Sequence, residues 1–406
     1  MHILVVSQYY YPEPFRINDI CKEWVNRGNK VTVVTGIPNY PEGRFYKGYS
    51  WFKKRKETVD GVDIIRLPLI ARGSTKIGLL ANYVSFMLVG IFFAKLTKIK
   101  ADRVFIFEVS PMTQAFVGTV YAKRNNVTCT IYVQDLWPEN LVAVAHINSK
   151  PVLGIVNRMV DRIYRDCDHI LATSPSFKAH LDKRKSVLNK KGKSKVAYWP
   201  QYAEDFYKPL AGIERPSDVP NDNDFKIAFT GNVGYAQGLD ILPKAAELLK
   251  KKHRKVDFVI IGDGRYMPEF KAEIEALGVG EYFFLLGRKA ASEIPGYLAC
   301  CNAGFISFAD DNLFKMTIPA KLQSYMACGK MIIAAAGGET RRIIGDAECG
   351  VCVDAGDAQA FADKVEECLD GIHNMAKMGR NADAYASNNF SKSRLMDEYE
   401  RIIGDN

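Results

Sequence analysis

Short apolar runs separated by helical stretches recur from the first residue of this chain. That alternation restricts it to parallel sheets covered by helices on both faces. His2–Ser7, Lys30–Thr35, Val62–Leu67, Arg103–Phe107, Thr128–Val133 and His169–Ala172 read as strands, with helices such as Arg16–Asn26 and Gln114–Lys123 between them. The pattern breaks around Trp199–Pro200, and the polar stretch Glu214–Asp224 (ERPSDVPNDND) reads as a linker. It then restarts with strands Lys226–Thr230, Asp257–Ile261, Tyr282–Leu286, Ala303–Phe308 and Met331–Ala335. Helices Gly238–Lys250, Pro268–Leu277 and Ala291–Ala299 lie between them, and the segment CGVCVD that begins at Cys349 reads as another strand. A chain of 406 residues is too long for one comfortable core. The expected fold class is α/β: a Rossmann-like domain over residues 1–200, a second over 201–385, and a cleft between them. The last helix, Ser391–Ile403, has no strand after it. Residues 386–406 are therefore expected as a C-terminal helix with the option of packing back on the first domain.

Charge is informative once it is split. Residues 1–200 hold 31 Lys and Arg against 15 Asp and Glu, while residues 201–406 hold 24 against 31. A basic first half implies an anionic partner. Nucleic acid is one candidate, but aromatic residues are not interleaved with the basic clusters Lys53–Lys56 and Lys183–Lys195 as in a nucleic-acid module, and an anionic membrane surface or phosphorylated lipid fits at least as well. Leu79–Ala94 is uncharged and bracketed by Arg72, Lys76, Lys95, Lys98 and Lys100. It is short for a span, and a strand follows at once, so it reads as a buried or bilayer-touching helix. The opening MHILVVSQYY reads as a buried strand rather than a signal peptide. Nine scattered cysteines suit a reducing, cytoplasmic setting.

Chemistry concentrates where strands end and helices begin. Met316–Lys330 (MTIPAKLQSYMACGK) lies between two strands, with Pro319 in a first helical turn, Lys321 in the same turn and Gly329 at the C-cap. The free amides of a helix start attract anions, and a lysine there adds a full charge, which suits a diphosphate. The plain alternative is a crossover helix whose lysine faces water. The loops GNVGYAQGL, with Gly231, Asn232, Gly234 and Gln237, and GDGRY, with Gly264 and Arg265, are glycine-bearing turns of the phosphate-cradling kind. In the first half, Glu13 and Arg16 open a helix after the first strand, and Asn39 and Tyr40 sit in GIPNYPEGR. Gln134, Asp135, Trp137 and Glu139 share the segment QDLWPEN. A tryptophan beside carboxylates suits a sugar ring. Trp137 as core filler and Asp135 as a helix cap is the alternative.

In order and wording, QYYYPEPFRIND, GIPNYPEGRFYKGY, QDLWPEN, GNVGYAQGL, GDGR, LGR and IPAKLQSYMACGK resemble the GT-B retaining glycosyltransferases of family four. Within it they are most similar to the subgroup that transfers N-acetyl-L-fucosamine or related deoxyamino sugars in O-antigen and capsule assembly. The resemblance covers essentially the whole chain. It implies a UDP-sugar donor held by the second domain and a polyprenyl-diphosphate-linked sugar acceptor met by the first, at the cytoplasmic face of the membrane. No cofactor and no metal are implied, since no Asp-x-Asp lies in a suitable loop.

By the same resemblance, Lys321, Arg265 and the amides of Thr317 and Ile318 face the diphosphate. Met316, Pro319 and Tyr325 belong with the donor, and Ser324 and the backbone near Arg288 meet the nucleoside. Asp135 and Glu139 orient sugar hydroxyls; Glu13, Arg16, Asn39, Tyr40, Gln134 and Trp137 lie toward the acceptor. The chain departs from the family where Met316 and Ser324 replace two glutamates eight positions apart. It departs again where Asn232 and Gln237 replace an Arg and a Lys, and where Gln134 replaces a frequent His. As a set, these changes resemble the deoxyamino-sugar subgroup. Two rivals stay open: a non-catalytic subunit of a polysaccharide assembly complex, and a GT-B nucleotide-sugar 2-epimerase.

Overall fold

A computed structural model describes residues 1–189 and 191–404. Contacts divide the chain into two compact units, Met1–Thr173 with Phe177–Tyr198, and Ser174–Ser176 with Trp199–Asn406.

The first unit carries strands β1 (His2–Val6), β2 (Lys30–Gly36), β3 (Lys56–Val59), β4 (Val62–Leu67), β5 (Arg103–Glu108), β6 (Thr128–Val133), β7 (His169–Ala172) and β8 (Val196–Tyr198). They form one sheet in the order β3-β4-β2-β1-β5-β6-β7-β8, parallel except for the β3–β4 pair. Helices α1 (Arg16–Asn26), α2 (Lys76–Leu96), α3 (Ala115–Asn125), α4 (Glu139–Ala143), α5 (Lys150–Asp166) and α6 (Pro175–Leu181) connect the strands. The central strands are Val- and Ile-rich because both their faces are covered: Val5, Val33, Phe105 and Ile131 are all buried. Periodicity missed β3 and β8. β3 is a half-exposed edge hairpin that begins inside the basic cluster Lys53–Lys56, and β8 has only three residues.

Two sequence expectations resolve in this unit. α2 runs for 21 residues and is apolar enough to cross a membrane by length and composition alone. One face is nevertheless fixed to the unit: Asn82, Phe86, Gly90 and Ala94 are buried, and Gly90 lies close against Val117 of α3. Lys195, counted among the surface cations, turns inward. Its Nζ donates to the carbonyls of Tyr164, 2.7 Å, and Cys167, capping the end of α5. Lys190, of the same cluster, lies outside the described residues.

The second unit carries β9 (Phe225–Thr230), β10 (Val256–Ile261), β11 (Phe283–Gly287), β12 (Ala303–Ser307), β13 (Met331–Ala335) and β14 (Gly350–Val353). All are parallel, in the order β11-β10-β9-β12-β13-β14. Its helices are α7 (Ile241–Lys251), α8 (Met267–Ala276), α9 (Ile294–Ala299), α10 (Asn312–Met316), α11 (Ala320–Ala327), α12 (Gly338–Asp346), α13 (Ala358–Leu369), α14 (Met375–Asn389) and α15 (Lys392–Gly404). Two apolar layers sandwich this sheet, one centred on Phe258, Phe305 and Phe361 and the other on Leu322, Tyr325 and Ile344. The contact division keeps α15 in the second unit, where the Leu395 carbonyl accepts the Trp199 indole N–H at 2.6 Å and Tyr399 packs on the same ring.

Candidate functional site

In the second sheet the winding order reverses between β9 and β12, and such a switch point leaves a crevice at the carboxyl ends of the strands. β9 and β12 pair only at Ile227–Ala303 and Ala228–Gly304, and then part. Beyond the last pair, the Thr230 amide donates to the Tyr325 hydroxyl at 2.8 Å. Two glycine loops leave the sheet beside this opening and are locked together. Gly231 N–H donates to Ile261 O, Val233 N–H to Asp263 O and Tyr266 N–H to Val233 O, at 2.9–3.1 Å. The contact is backbone to backbone: a Cβ on Gly262 would lie 1.8 Å from Gly231 O, and one on Gly264 would lie 2.2 Å from Val233 O. The glycines of GDG are therefore demanded by the backbone of GNVG.

Lys321 stands in the first turn of α11, beside the same opening. Its Nζ lies 3.9 Å from the centroid of the Phe229 ring on β9 and donates to Gln237 Oε1. Among the described residues no carboxylate pairs with it. Burial in this apolar setting pushes its pKa down to about 7. A desolvated, unneutralised cation at a helix start is a site prepared for an anion. Gln237, one of the expected donor residues, supplies its neutral acceptor.

The other donor residues expected from sequence are partly redistributed. The Thr317 amide is already given to Phe314 O at 3.1 Å and its hydroxyl to Leu313 O, so the free amides belong to the start of α11 itself. Ile318 and Pro319 are buried, with Ile318 in the second apolar layer. Ser324, expected at the nucleoside, is buried, and its hydroxyl bonds back to Ala320 O at 3.1 Å, as serines inside helices do. Tyr325 is fully buried and serves the sheet through Thr230. Met316 ends α10 half-buried, its carbonyl accepting from Ser174 Oγ at 2.6 Å. Asn232 and Arg265 are exposed on their loops, and Arg288, more than half exposed, lies 3.9 Å from Asp263.

The turn that opens α12 was missed. Gly338 has φ +58°, and a Cβ there would lie 1.8 Å from Lys315 O, which brings this turn against the end of α10. The pair Gly337-Gly338 directly after a strand was the available signal. One carboxylate group among the described residues, Asp222, Asp224 and Asp257, has spacing suited to a cation. It sits at the amino ends of β9 and β10, away from the crevice, and the Lys226 ammonium already fills it, 3.2 Å from Asp257.

In the first unit the switch point falls between β1 and β5. Glu13 is buried there, and its carboxylate accepts the amides of Asn39 at 2.8 Å, Tyr40 at 2.7 Å and Tyr10 at 3.3 Å. Burial raises its pKa to about 7 against the pull of those bonds. Asn39 is equally committed: its side chain donates to Ile37 O and accepts the Arg72 amide. Both side chains, expected as acceptor contacts, are engaged here in knitting loops. Tyr40 packs against Tyr9 and Phe15 with Arg72 over its ring. Arg16 is half-buried, close enough to bear on the Tyr132 phenol, and Gln134, also half-buried, directly follows β6.

Asp135 accepts both the amide and the hydroxyl of Ser110 at 2.7 Å. Burial raises its pKa, and the Ser110 bonds oppose the rise. Glu139 opens α4 and accepts from His180 at 2.9 Å, with Arg184 at 3.7 Å. These contacts hold its carboxyl down although burial alone would raise it. Trp137 is 8% exposed, so its ring fills the core and offers no open sugar platform. Sequence reading missed Glu108 at the end of β5. Its carboxyl is fully buried and held well above the usual range by that burial and by the charge of Asp135. Inside the run VFIFE it had no signal.

Residues 212–385 match the family model described as Glycosyl transferases group 1. The chain is 25% identical over 244 residues to the Pseudomonas aeruginosa protein WbjE, named as a glycosyltransferase, a match covering 58% of either chain. The chain thus spans less than two thirds of that relative. It is 24% identical over 344 residues to Escherichia coli WcaI, named for glycosyl transfer in colanic acid biosynthesis, covering 81% of this chain and 82% of WcaI. Among solved structures, Anabaena HepE in complex with UDP-glucose superposes with a TM-score of 0.70 at 16% identity over the whole of both chains. With further neighbours of the same kind, this establishes the GT-B fold.

Proposed function

We propose that this GT-B glycosyltransferase moves a deoxyamino sugar, N-acetyl-L-fucosamine, from UDP to a polyprenyl-diphosphate-linked sugar. The product is a capsule or O-antigen repeat unit assembled at the cytoplasmic face of the membrane. The observation that carries the donor half is Lys321, a half-buried ammonium at a helix start with no carboxylate partner among the described residues. The UDP-glucose complex of HepE and the polysaccharide role in the name of WcaI support the class of donor and product. Met316, where the wider family carries a glutamate, supports a donor sugar with fewer hydroxyls.

In this reading the bond between the anomeric carbon and the β-phosphate oxygen breaks as the acceptor hydroxyl bonds to that carbon on the same face. The hydroxyl proton passes to the departing phosphate, and the sugar keeps its configuration. Lys321 and the first amides of α11 meet the charge that develops on the diphosphate, in place already and needing no reorganisation. Arg265 and Arg288 add positive charge from neighbouring loops. In the first unit, Arg16, Gln134 and Tyr40 lie toward the acceptor, while Asp135 and Glu139 shape the loop that follows β6. Neither metal nor cofactor has a role in this scheme, because Lys321 and the helix supply the charge.

The test is UDP release by the purified protein from UDP-N-acetyl-L-fucosamine, with and without a lipid-diphosphate amino-sugar acceptor. Release that depends on acceptor is the expected result. UDP binding without release from this donor would remove the fucosamine assignment, and release without acceptor would point to the epimerase. Failure of both binding and release would favour a non-catalytic subunit.

A further inference from the structure

We infer that the outer face of α2 and the loop at Phe52 form one docking surface for an anionic lipid bilayer. The helix buries Asn82, Phe86, Gly90 and Ala94 and turns Ile77, Leu80, Val84, Leu88, Phe92 and Leu96 outward. These recur every three or four residues and make a single apolar stripe, with Ile77 81% and Phe92 66% exposed. At 21 residues the helix is about 32 Å long. A soluble unit has no use for such a stripe facing water, and patches of this kind mark interaction surfaces.

The second segment joins it through described hydrogen bonds. Phe52 is 91% exposed on the loop that leads into β3, followed by Lys53, Lys54, Arg55 and Lys56. Its neighbour Trp51 donates its indole N–H to Leu69 O at 2.9 Å. The next residue, Ile70, is 48% exposed; its amide donates to Ser85 Oγ of α2 at 3.0 Å and its carbonyl accepts from Asn82 at 2.6 Å. The Phe52 loop is thus tied through Trp51 and Ile70 to α2, although more than thirty residues of chain separate it from the middle of the helix.

Charge selects the occupant. Between Asp63 and Asp102 the chain has no acidic residue, while Arg72 and Lys76 bracket one end of the stripe and Lys95, Lys98 and Lys100 the other. In a two-fold dimer a patch meets itself, so a second copy would set these cations against their own kind. An anionic bilayer offers apolar depth to the stripe and phosphate to its rim. The surface extends the membrane location proposed above, but lipid binding is read without any sugar transfer, so either can fail alone.

The experiment is co-sedimentation of the full chain with phosphatidylcholine vesicles, with and without phosphatidylglycerol. Light scattering without lipid and a thermal melt of each variant accompany it. Binding is expected only with phosphatidylglycerol, and it should weaken as salt rises. Leu88→Glu with Phe92→Glu should lower the bound fraction on the order of tenfold. Phe52→Ser, on a loop too exposed to affect folding, should lower it several-fold. So should Lys53→Glu with Lys54→Glu. Equal binding to neutral vesicles, no binding, or binding indifferent to all three variants would overturn the inference. So would a dimer in solution that Leu88→Glu dissolves, which would make a second copy the occupant.

Discussion

The Lys321 ammonium sits against the face of Phe229, 3.9 Å from the ring centroid, with Gln237 as its acceptor. A cation–π contact and one neutral hydrogen bond recover only part of what a lysine loses on leaving water. The second unit therefore holds a charge it does not neutralise, at the switch point of its sheet. Stability given up there is available to a ligand that brings negative charge.

Lys321→Met should separate stability from activity. Removing an unneutralised cation from an apolar setting is expected to raise the melting temperature at pH 6 or leave it unchanged. The same change should lower turnover by at least ~100-fold, as loss of a preorganised charge at a leaving group does. A thermal melt and a UDP-release assay on one preparation check both.

The pH dependence of UDP binding follows from the same residue. Burial depresses Lys321 from 10.5 to about 7, and a bound diphosphate would raise it again. Binding above pH 7 must then take up a proton, so affinity should fall about tenfold per pH unit as pH rises beyond 7. Folding stability runs the other way: between pH 7 and 10.5 the unfolded chain holds a proton that the folded chain lacks, so stability rises with pH. Titration calorimetry in buffers of different ionisation enthalpy would show the proton uptake, and Lys321→Met should abolish it.

Ser324→Ala tests whether this position meets the nucleoside. Because the hydroxyl bonds back to Ala320 O inside α11, its removal should leave UDP affinity within about twofold and stability within ~0.5 kcal/mol. A tenfold loss of affinity would restore Ser324 as a ribose contact.

Glu13 holds three amides from the loops after β1 and β2, and one of its oxygens takes the two closest. A glutamine keeps a carbonyl for that role, so Glu13→Gln should cost less than about 1 kcal/mol, whereas Glu13→Ala, which orphans buried amides, should cost ~2–4 kcal/mol. With its pKa raised from 4.5 to about 7, the folded protein holds a proton there that the unfolded chain has lost. Stability contributed by that proton therefore falls as pH rises from 4.5 to 7, and Glu13→Gln should flatten this slope in denaturant titrations.

Gly262→Ala would place a Cβ 1.8 Å from Gly231 O, where neither backbone can yield without separating the two loops. We expect a loss on the order of 3 kcal/mol in denaturant unfolding, with UDP binding weakened alongside.

The alternation of strands and helices was legible because residues buried on both sides of a parallel sheet must be apolar regardless of what lies around them. Eleven strands from His2 to Ala335 were read from that rule, along with the glycine loops and the lysine at the start of α11. β3 was hidden because an edge strand half in water carries no such pattern. Inside a site, residue type shows what a side chain can do and leaves open what it already does. Asn39, Glu13, Ser324 and Tyr325 are all of a type suited to ligand contact, and the structure shows each bonded to its own helix, a nearby loop or the end of a strand.

The sequence by itself determined two parallel-sheet domains, a basic first half, and the strand–loop–helix segment that carries Lys321 in its first helical turn, since periodicity, charge and helix punctuation are local properties. Only the tertiary structure decided that β9 and β12 diverge beside that lysine, that Phe229 and Gln237 are its company, and that Trp51 and Ile70 tie the Phe52 loop to α2. These are contacts between residues far apart in the chain, set by sheet order and packing, and no local pattern encodes them.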